Sequence, residues 1–315
     1  MNRKSIIISI KGTVLTNSEK SLINSEKPWG VILFKRNIKT ISQLEYLSKE
    51  IRNSIKDPNY PILIDEEGGN VSRLSNIVDT KIFSQNFFGH LYEKNKTIGY
   101  KYYVNYLNQI SYVLRKIGVN INTIPVLDIF KNKKSKIIGT RSYSKRTQTI
   151  KSLGRACINT LKKNKIGSVI KHIPGHGCTD IDSHKSLPIV SDSYKNLIKN
   201  DFSLFKENNS PFAMTAHILY KKIDSFYPAT HSKIIIDNII RKKLLYKGLL
   251  ISDDISMKSL SKNIIFNAKK AVFSGCNLAL YCGGDIKESS ILLKNMKKID
   301  AFTSKKTSEF YNFLR

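Results

Sequence analysis

No stretch of the 315-residue chain approaches the roughly 20 consecutive apolar residues that a bilayer-spanning helix needs. The start, Met1–Lys11, has a basic lead, but its short apolar stretch is broken by Ser9. A secretory h-region needs about 7–15 apolar residues and a small-residue cleavage site. The segment therefore reads as a first strand, and a cytoplasmic protein with no membrane partner is expected. Cysteine is scarce: the four residues, Cys157, Cys178, Cys276 and Cys282, form no CxxC pair. That pattern excludes a disulfide framework and a structural zinc site. Cys276 and Cys282 lie near an apolar stretch and read as small buried residues. No GxGxxG follows the first apolar strand, which argues against a dinucleotide-binding, doubly wound sheet.

Acids are also few, 24 against 53 lysines and arginines, giving a formal charge of +29. Such a balance invites an anionic partner. The lysines, however, are spread along the whole chain, in pieces such as Lys131–Lys136, Lys162–Lys165 and Arg241–Lys247, and no nucleic-acid motif accompanies them. Lys, Ile and Asn are abundant together, as the codon choice of an AT-rich genome makes them. No specific nucleic-acid partner is expected.

What is present is a large apolar content, 41% with 10% aromatic, arranged in short β-branched runs. Eight runs stand out: Ser5–Ile10, Gly30–Phe34, Pro61–Ile64, Val119–Thr123, Gly167–Ile170, Pro211–Met214, Gly248–Ser252 and Asn277–Tyr281. Between them lie segments with helical spacing, such as Ile41, Leu44, Leu47 and Ile51, and others at Tyr102–Ile117, Ile150–Leu161, Tyr194–Phe205, Ser232–Leu245 and Ser259–Phe273. The tail Ala301–Arg315 reads as a terminal helix with Phe302, Phe310, Tyr311, Phe313 and Leu314 to bury. Alternation without a composition break predicts an α/β fold, a single-domain (β/α)8 TIM-type barrel over residues 1–315.

The residues just past each run carry the chemistry. Lys35-Arg36-Asn37, Asp65-Glu66-Glu67, Asp128, Lys171-His172, His217 and Asp253-Asp254 all follow predicted strands. In a barrel those ends converge on one rim, where active sites sit. The densest stretch is Lys171–Pro188, which holds three of the six histidines. Three readings compete for it. His172, His176, Cys178, Asp182 and His184 are possible metal ligands, but Pro174 and the flanking glycines forbid the helix that usually pairs His i and i+4. A structural loop is the second reading. The third is acid/base chemistry by Asp182 and His184, which two-residue spacing can turn the same way, so that the carboxylate fixes the imidazole tautomer.

Asp253, first off its strand, suits a nucleophile, whereas Asp254 equally suits a cap of the following helix. In Ile64–Leu74, adjacent acids followed by Gly68-Gly69 suit sugar hydroxyls, with the glycines letting backbone approach a ligand. Arg73 is alternatively a salt-bridge partner of Glu66 or Glu67.

With these stretches together, the chain resembles the bacterial β-N-acetylglucosaminidases of glycoside hydrolase family 3, of the cell-wall-recycling type. The ordered matches are Gly30–Asn37, Ile64–Leu74, Pro125–Asp128, Gly139–Ser142, Lys171–Pro188, Met214–His217, Pro228–Thr230 and Ser252–Met257. Lys-His-x-Pro-Gly-His-Gly followed by Asp-Ser-His is the most specific. The resemblance implies a barrel that removes terminal β-linked N-acetylglucosamine with retention, acting on a muropeptide-derived GlcNAc–anhydro-MurNAc or chitooligosaccharide-like substrate, as a monomer without metal or organic cofactor. It implies Asp253 as nucleophile, His184 as general acid/base with Asp182 as its partner, and Asp65, Arg73, Arg141, Lys171 and His172 as sugar-binding residues. The Asp–His pair takes the place of one of the two carboxylates usual in retaining glycosidases. Departures from the family pattern fall at Lys11, Asn70, Thr140, Cys178 and Asn277. Related readings are β-glucoside or β-N-acetylgalactosaminide hydrolysis and phosphorolysis of N-acetylglucosaminides. Outside the enzymes, an inactive sugar-binding barrel is the rival.

Overall fold

The computed structural model describes residues 1–130, 138–177 and 186–315. Eight strands close into a parallel barrel in the order β1-β10-β9-β7-β5-β4-β3-β2. They are β1 (Lys4–Ser9), β2 (Pro28–Leu33), β3 (Ile62–Ile64), β4 (Ile121–Asn122), β5 (Gly167–Ile173), β7 (Phe212–Thr215), β9 (Leu249–Asp254) and β10 (Leu278–Leu280). Every expected run supplies one of them. The remaining two, β6 (Ile189–Val190) and β8 (Leu219–Tyr220), pair with each other in a small parallel ladder beside the rim.

Parallel strands covered on both faces bury both sets of side chains, which is why these runs are continuous in β-branched residues rather than alternating. Successive residues nevertheless divide between two cores. Ile7, Ile32, Leu63, Ile121, Val169, Phe212, Met214, Leu249, Ile251, Leu278 and Leu280 fill the barrel. Their neighbours Ile6, Ile8, Val31, Leu33, Ile62, Ile64, Ile170, Ala213, Leu250 and Ala279 face the helices.

The helices follow the apolar spacing with two revisions. The expected Tyr194–Phe205 helix divides into Tyr194–Lys199 and a 3-10 turn at Phe202–Leu204. The expected Ser232–Leu245 segment contains a π-helix over Ile235–Lys243. Three further helices lie outside the expected segments: Asn17–Glu26, Gln85–Lys94 and Ile286–Asn295.

The terminal helix, Ala301–Leu314, closes the end of the barrel where the strands begin. Phe310 is buried there, its ring 5.1 Å from that of Phe212, which in turn lies 5.6 Å from Trp29. Trp29 Nε1 donates to Thr307 Oγ1 at 2.8 Å, so the one tryptophan is satisfied within this plug. Phe302, expected to be buried, is instead exposed. No helix among the described residues is long and apolar enough to cross a membrane.

Candidate active site

At the other end of the barrel the strand ends carry charge. Asp65 and Glu67, two apart after β3, turn to the same side. Glu66, between them, turns away and accepts the Arg73 amide at 2.6 Å, the Leu74 amide at 2.8 Å and the Thr80 hydroxyl at 2.6 Å. Lys171 Nζ, on β5 and almost fully buried, lies 2.6 Å from Asp65 Oδ1 and 2.6 Å from Glu67 Oε1. Asp65 is completed by Arg73 Nη2 at 2.7 Å and by the Thr123 hydroxyl at 2.6 Å. Glu67 is completed by Nε and Nη2 of Arg141, both at 2.8 Å, the forked geometry that makes guanidinium–carboxylate pairs strong. Arg141 Nη2 then reaches His172 Nε2 at 3.4 Å, and His172 Nδ1 meets Asp128 Oδ2 at 2.6 Å. Asp128 also accepts the His176 amide at 2.7 Å.

Arg73, Asp65, Lys171, Glu67, Arg141, His172 and Asp128 thus form one chain of alternating partners across three strand ends. Burial alone would favour the neutral acids. The Lys171 and Arg73 cations outweigh it at Asp65, the Arg141 and Lys171 cations at Glu67, and the His172 ring at Asp128, so all three carboxyls are held below their usual range. Burial likewise opposes the charge on Arg141, but Glu67 raises its pKa above the ordinary value.

The ions frame a cleft of about 190 Å³ whose lining includes Asp65, Arg73, Arg141, Lys171, His172 and Asp253. A cleft of about 290 Å³ lies at the opposite mouth, between Ser168, Phe212, Gly248 and Phe310; among the described residues its one ion pair, Lys306–Glu309 at 2.7 Å, is a solvent-exposed contact within a helix turn and not a buried network. Chemistry belongs to the smaller one.

Asp253, expected just past its strand, is the last residue but one of β9 and lies on this cleft. Burial opposes its charge, yet the His172 and His217 rings, the Asp254 amide and Lys171 together hold its carboxyl below the usual range. Among the described residues, its carboxylate accepts a hydrogen bond only from the Asp254 amide, at 2.8 Å on Oδ1. Asp254 is tied differently. Its side chain accepts the Ser256 amide at 3.1 Å, the Ser256 hydroxyl at 2.7 Å and the Cys282 amide at 3.2 Å, and burial raises its pKa. Neither aspartate caps the following helix: Asp254 ties the turn after β9, and the next helix, Ile264–Ser274, is capped by Asn263. Arg73 pairs with Asp65 rather than with Glu66 or Glu67.

The relatives fit this arrangement. Residues 7–307 match the Glycosyl hydrolase family 3 N terminal domain. The chain belongs to glycosyl hydrolase family 3. A β-hexosaminidase of Bordetella pertussis is 30% identical over 286 residues, covering 89% of this chain and 80% of that protein. NagZ from Neisseria gonorrhoeae in complex with N-trifluoroacetyl-D-glucosamine superposes with a TM-score of 0.87 at 26% identity, covering all of this chain and 90% of that one. A family 3 β-N-acetylglucosaminidase from Paenibacillus sp. gives a TM-score of 0.85 at 26% identity; this chain, 98% covered, spans 60% of its length. As a family 3 member the protein is a glycoside hydrolase, with a carbohydrate substrate.

In this family 3 barrel, five of the seven expected sugar-binding and catalytic positions other than Asp253, namely Asp65, Arg73, Arg141, Lys171 and His172, are brought to one cleft with it. Asp182 and His184 lie outside the described residues. Two acids link the basic residues: Asp128, expected only as a rim acid, and Glu67, expected to suit sugar hydroxyls or to pair with Arg73 but paired instead with Arg141 and Lys171. The cleft walls Phe34, Val71, Met214 and Leu280 gave no chemical signal in the sequence. Cys282 departs from its expectation: it is half-buried and lines the cleft, where burial and then Asp254 and Asp253 push its thiol well above the ordinary value. Gly68 and Gly69 also act otherwise than expected. Both have positive φ, +76° and +61°, and a Cβ on Gly68 would come 2.3 Å from the Phe83 carbonyl, so they serve a tight turn against the chain itself. His176 lines the cleft with a buried Nδ1 that has no hydrogen-bond partner among the described residues; burial, then the neighbouring His172, pushes its pKa down to about 4.

Proposed function

We propose that the protein is a retaining exo-β-N-acetylglucosaminidase working through a covalent glycosyl-enzyme on Asp253. The observation that carries this reading is the division of labour among the carboxylates. Asp65, Glu67 and Asp128 are each neutralised by fixed cations or a ring, and Asp254 is occupied by amides and a hydroxyl. Among the described residues, Asp253 alone joins a depressed pKa and a place on the cleft with a carboxylate engaged by nothing but its neighbour's amide. Such a group is available to bond to an anomeric carbon.

In the first step an Asp253 oxygen forms a bond to the anomeric carbon as the bond to the leaving sugar's oxygen breaks, and His184 delivers a proton to that oxygen. In the second, His184 takes a proton from water, the water oxygen bonds to the anomeric carbon, and Asp253 leaves as carboxylate. Asp182 orients the His184 ring. The Asp65, Arg73, Arg141, Lys171 and His172 set holds hydroxyls and the N-acetyl group; preset donors of this kind align the reacting centre and strengthen as the ring distorts.

The relatives' names, β-hexosaminidase and β-N-acetylglucosaminidase, support N-acetylhexosamine as the sugar; the proposal extends this to a GlcNAc–1,6-anhydro-MurNAc muropeptide from cell-wall recycling as the substrate. The proposal includes a monomeric, cytoplasmic protein with one domain over residues 1–315. Asp253→Ala should abolish release of the aryl group from an aryl β-N-acetylglucosaminide. A 5-fluoro N-acetylglucosaminyl fluoride should label Asp253 alone. Label on Asp254, or full activity in the variant, would sink the assignment.

A further inference from the structure

Two matched motifs, Met214–His217 and Pro228–Thr230, are given no step in the proposed reaction, although Met214 lines the cleft and the His217 ring lies near Asp253. The structure joins them to each other and to the end of β9. His217 is completely buried, as are Thr215 and Thr230. Its Nε2 lies 3.0 Å from the Asp254 carbonyl oxygen, which has no proton to give, so Nε2 carries the hydrogen and donates. Its Nδ1 lies 2.7 Å from Thr230 Oγ1. In the neutral ring this nitrogen accepts the Thr230 proton, in preference to the more distant Ala216 carbonyl at 3.0 Å. Thr215 Oγ1, 2.8 Å away, supplies the proton that Thr230 in turn accepts. The direction of the whole line is therefore fixed: Thr215 to Thr230 to His217 to the Asp254 carbonyl.

Asp254 is the residue whose amide holds Asp253 Oδ1. We propose that His217 is a positioning residue: by clamping the Asp254 carbonyl, with Thr230 setting its tautomer, it keeps the Asp254 amide aimed at Asp253 and the Asp253 carboxylate aimed into the cleft. This inference rests on Asp253 being the nucleophile. Asp254 is held at every polar group it has: its amide by Asp253, its side chain by Ser256 and Cys282, its carbonyl by His217. The His217 bond is the one that comes from the neighbouring strand's end rather than from the same loop or β10. It ties β7 to β9 just where they pass into the rim. His217 does not line the cleft, so it acts through Asp254 and not on the sugar. Burial keeps the ring neutral by lowering its pKa, which preserves the one-way line of donors.

The test compares His217→Leu, which keeps the bulk and removes the donor, with His217→Gln, whose amide can donate to the same carbonyl. Readouts are kcat and KM on an aryl β-N-acetylglucosaminide, the rate of 5-fluoro-sugar labelling, and the Kd for N-acetylglucosamine. His217→Leu should lower kcat and the labelling rate by about 10²-fold, the scale of a small misplacement of a reacting group. KM and the N-acetylglucosamine Kd should stay within about threefold, since ground-state binding is untouched. His217→Gln should recover most of the lost kcat. Wild-type kcat in His217→Leu, a loss confined to KM, or no recovery in His217→Gln would overturn the proposal. Should His217→Leu fail to fold, Thr230→Val carries the same test: a fall in kcat at unchanged KM supports the clamp, and wild-type kcat overturns it. The wild-type enzyme separates the two claims. If it neither hydrolyses the substrate nor takes the label, the proposed function falls first; if it does both and the variants match it, only the positioning role falls.

Discussion

Replacing Lys171 by methionine removes one ammonium from between two carboxylates while keeping a side chain of similar length. Lys171 is 2% exposed and Glu67 4%, so water cannot take the missing partner's place. Removing one member of a buried ion pair costs about 3–5 kcal/mol because the other charge is left uncompensated. Arg73 still serves Asp65 and Arg141 still serves Glu67, which places the expected loss at the lower end of that range. At about 2.1 cal/mol/K per residue, a chain of 315 residues unfolds with an entropy near 0.66 kcal/mol/K. The loss then corresponds to a Tm lower by about 5 °C at neutral pH.

The pH dependence has a definite sign. In the wild type both acids have depressed pKa values, so their stabilisation is present above the ordinary carboxyl range and is lost as pH falls through the depressed values. In the variant burial is opposed by one cation fewer, and the two carboxyls take up protons at higher pH than in the wild type. The stability gap should therefore be full at pH 7 and narrow on acidification to about pH 4, near the ordinary carboxyl values. Thermal unfolding followed by circular dichroism at both pH values checks this. A gap that is constant or widens in acid, or a neutral-pH loss below about 1 kcal/mol, would refute the picture of an uncompensated buried pair.

The remaining expectations concern the proton donor and the barrel floor. His184→Ala should slow hydrolysis of a natural disaccharide by about 10²–10⁴-fold but spare a dinitrophenyl glycoside, whose leaving group needs no proton; equal losses on both would remove His184 from the acid role. Phe310→Ala empties the plug beneath Phe212, and its melting curve should show a loss of about 3–5 kcal/mol with KM unchanged, since the cavity opens at the far end from the sugar. A raised KM would mean that the floor and the cleft are coupled.

Much of this molecule was legible in the sequence because a parallel barrel buries its strands on both faces. Eight β-branched runs have few other uses, and their polar ends mark the rim. Helix Asn17–Glu26 escaped notice because its buried residues are only Glu19 and Ile23, although Thr16 and Glu19 spell a capping box that the structure forms. The pairing within the rim was harder to read. Three consecutive acids look equivalent, and only the two-residue repeat of an extended segment separates Asp65 and Glu67 from Glu66. The choice of Asp65 by Arg73 depends on how the Gly68-Gly69 turn folds back, which spacing alone does not fix. The apolar cleft walls look like any other strand residues, and Cys282 lies two residues beyond the end of β10, where a thiol reads equally as core or as wall.

The plug at Trp29, Phe212 and Phe310 makes the barrel a blind well. Its sides near the bottom are Ile32, Met214 and Leu280, and whatever enters must leave by the same opening. A polysaccharide cannot thread through such a space, because it would need a second exit; only a chain end can reach the bottom. Traffic is also forced into an order. Under the proposed mechanism the departing sugar vacates the opening before water arrives at the anomeric carbon, and the freed monosaccharide leaves before the next chain end descends. The proposed attack from the chain end would in this sense follow from the barrel's closed base as much as from the groups around its mouth.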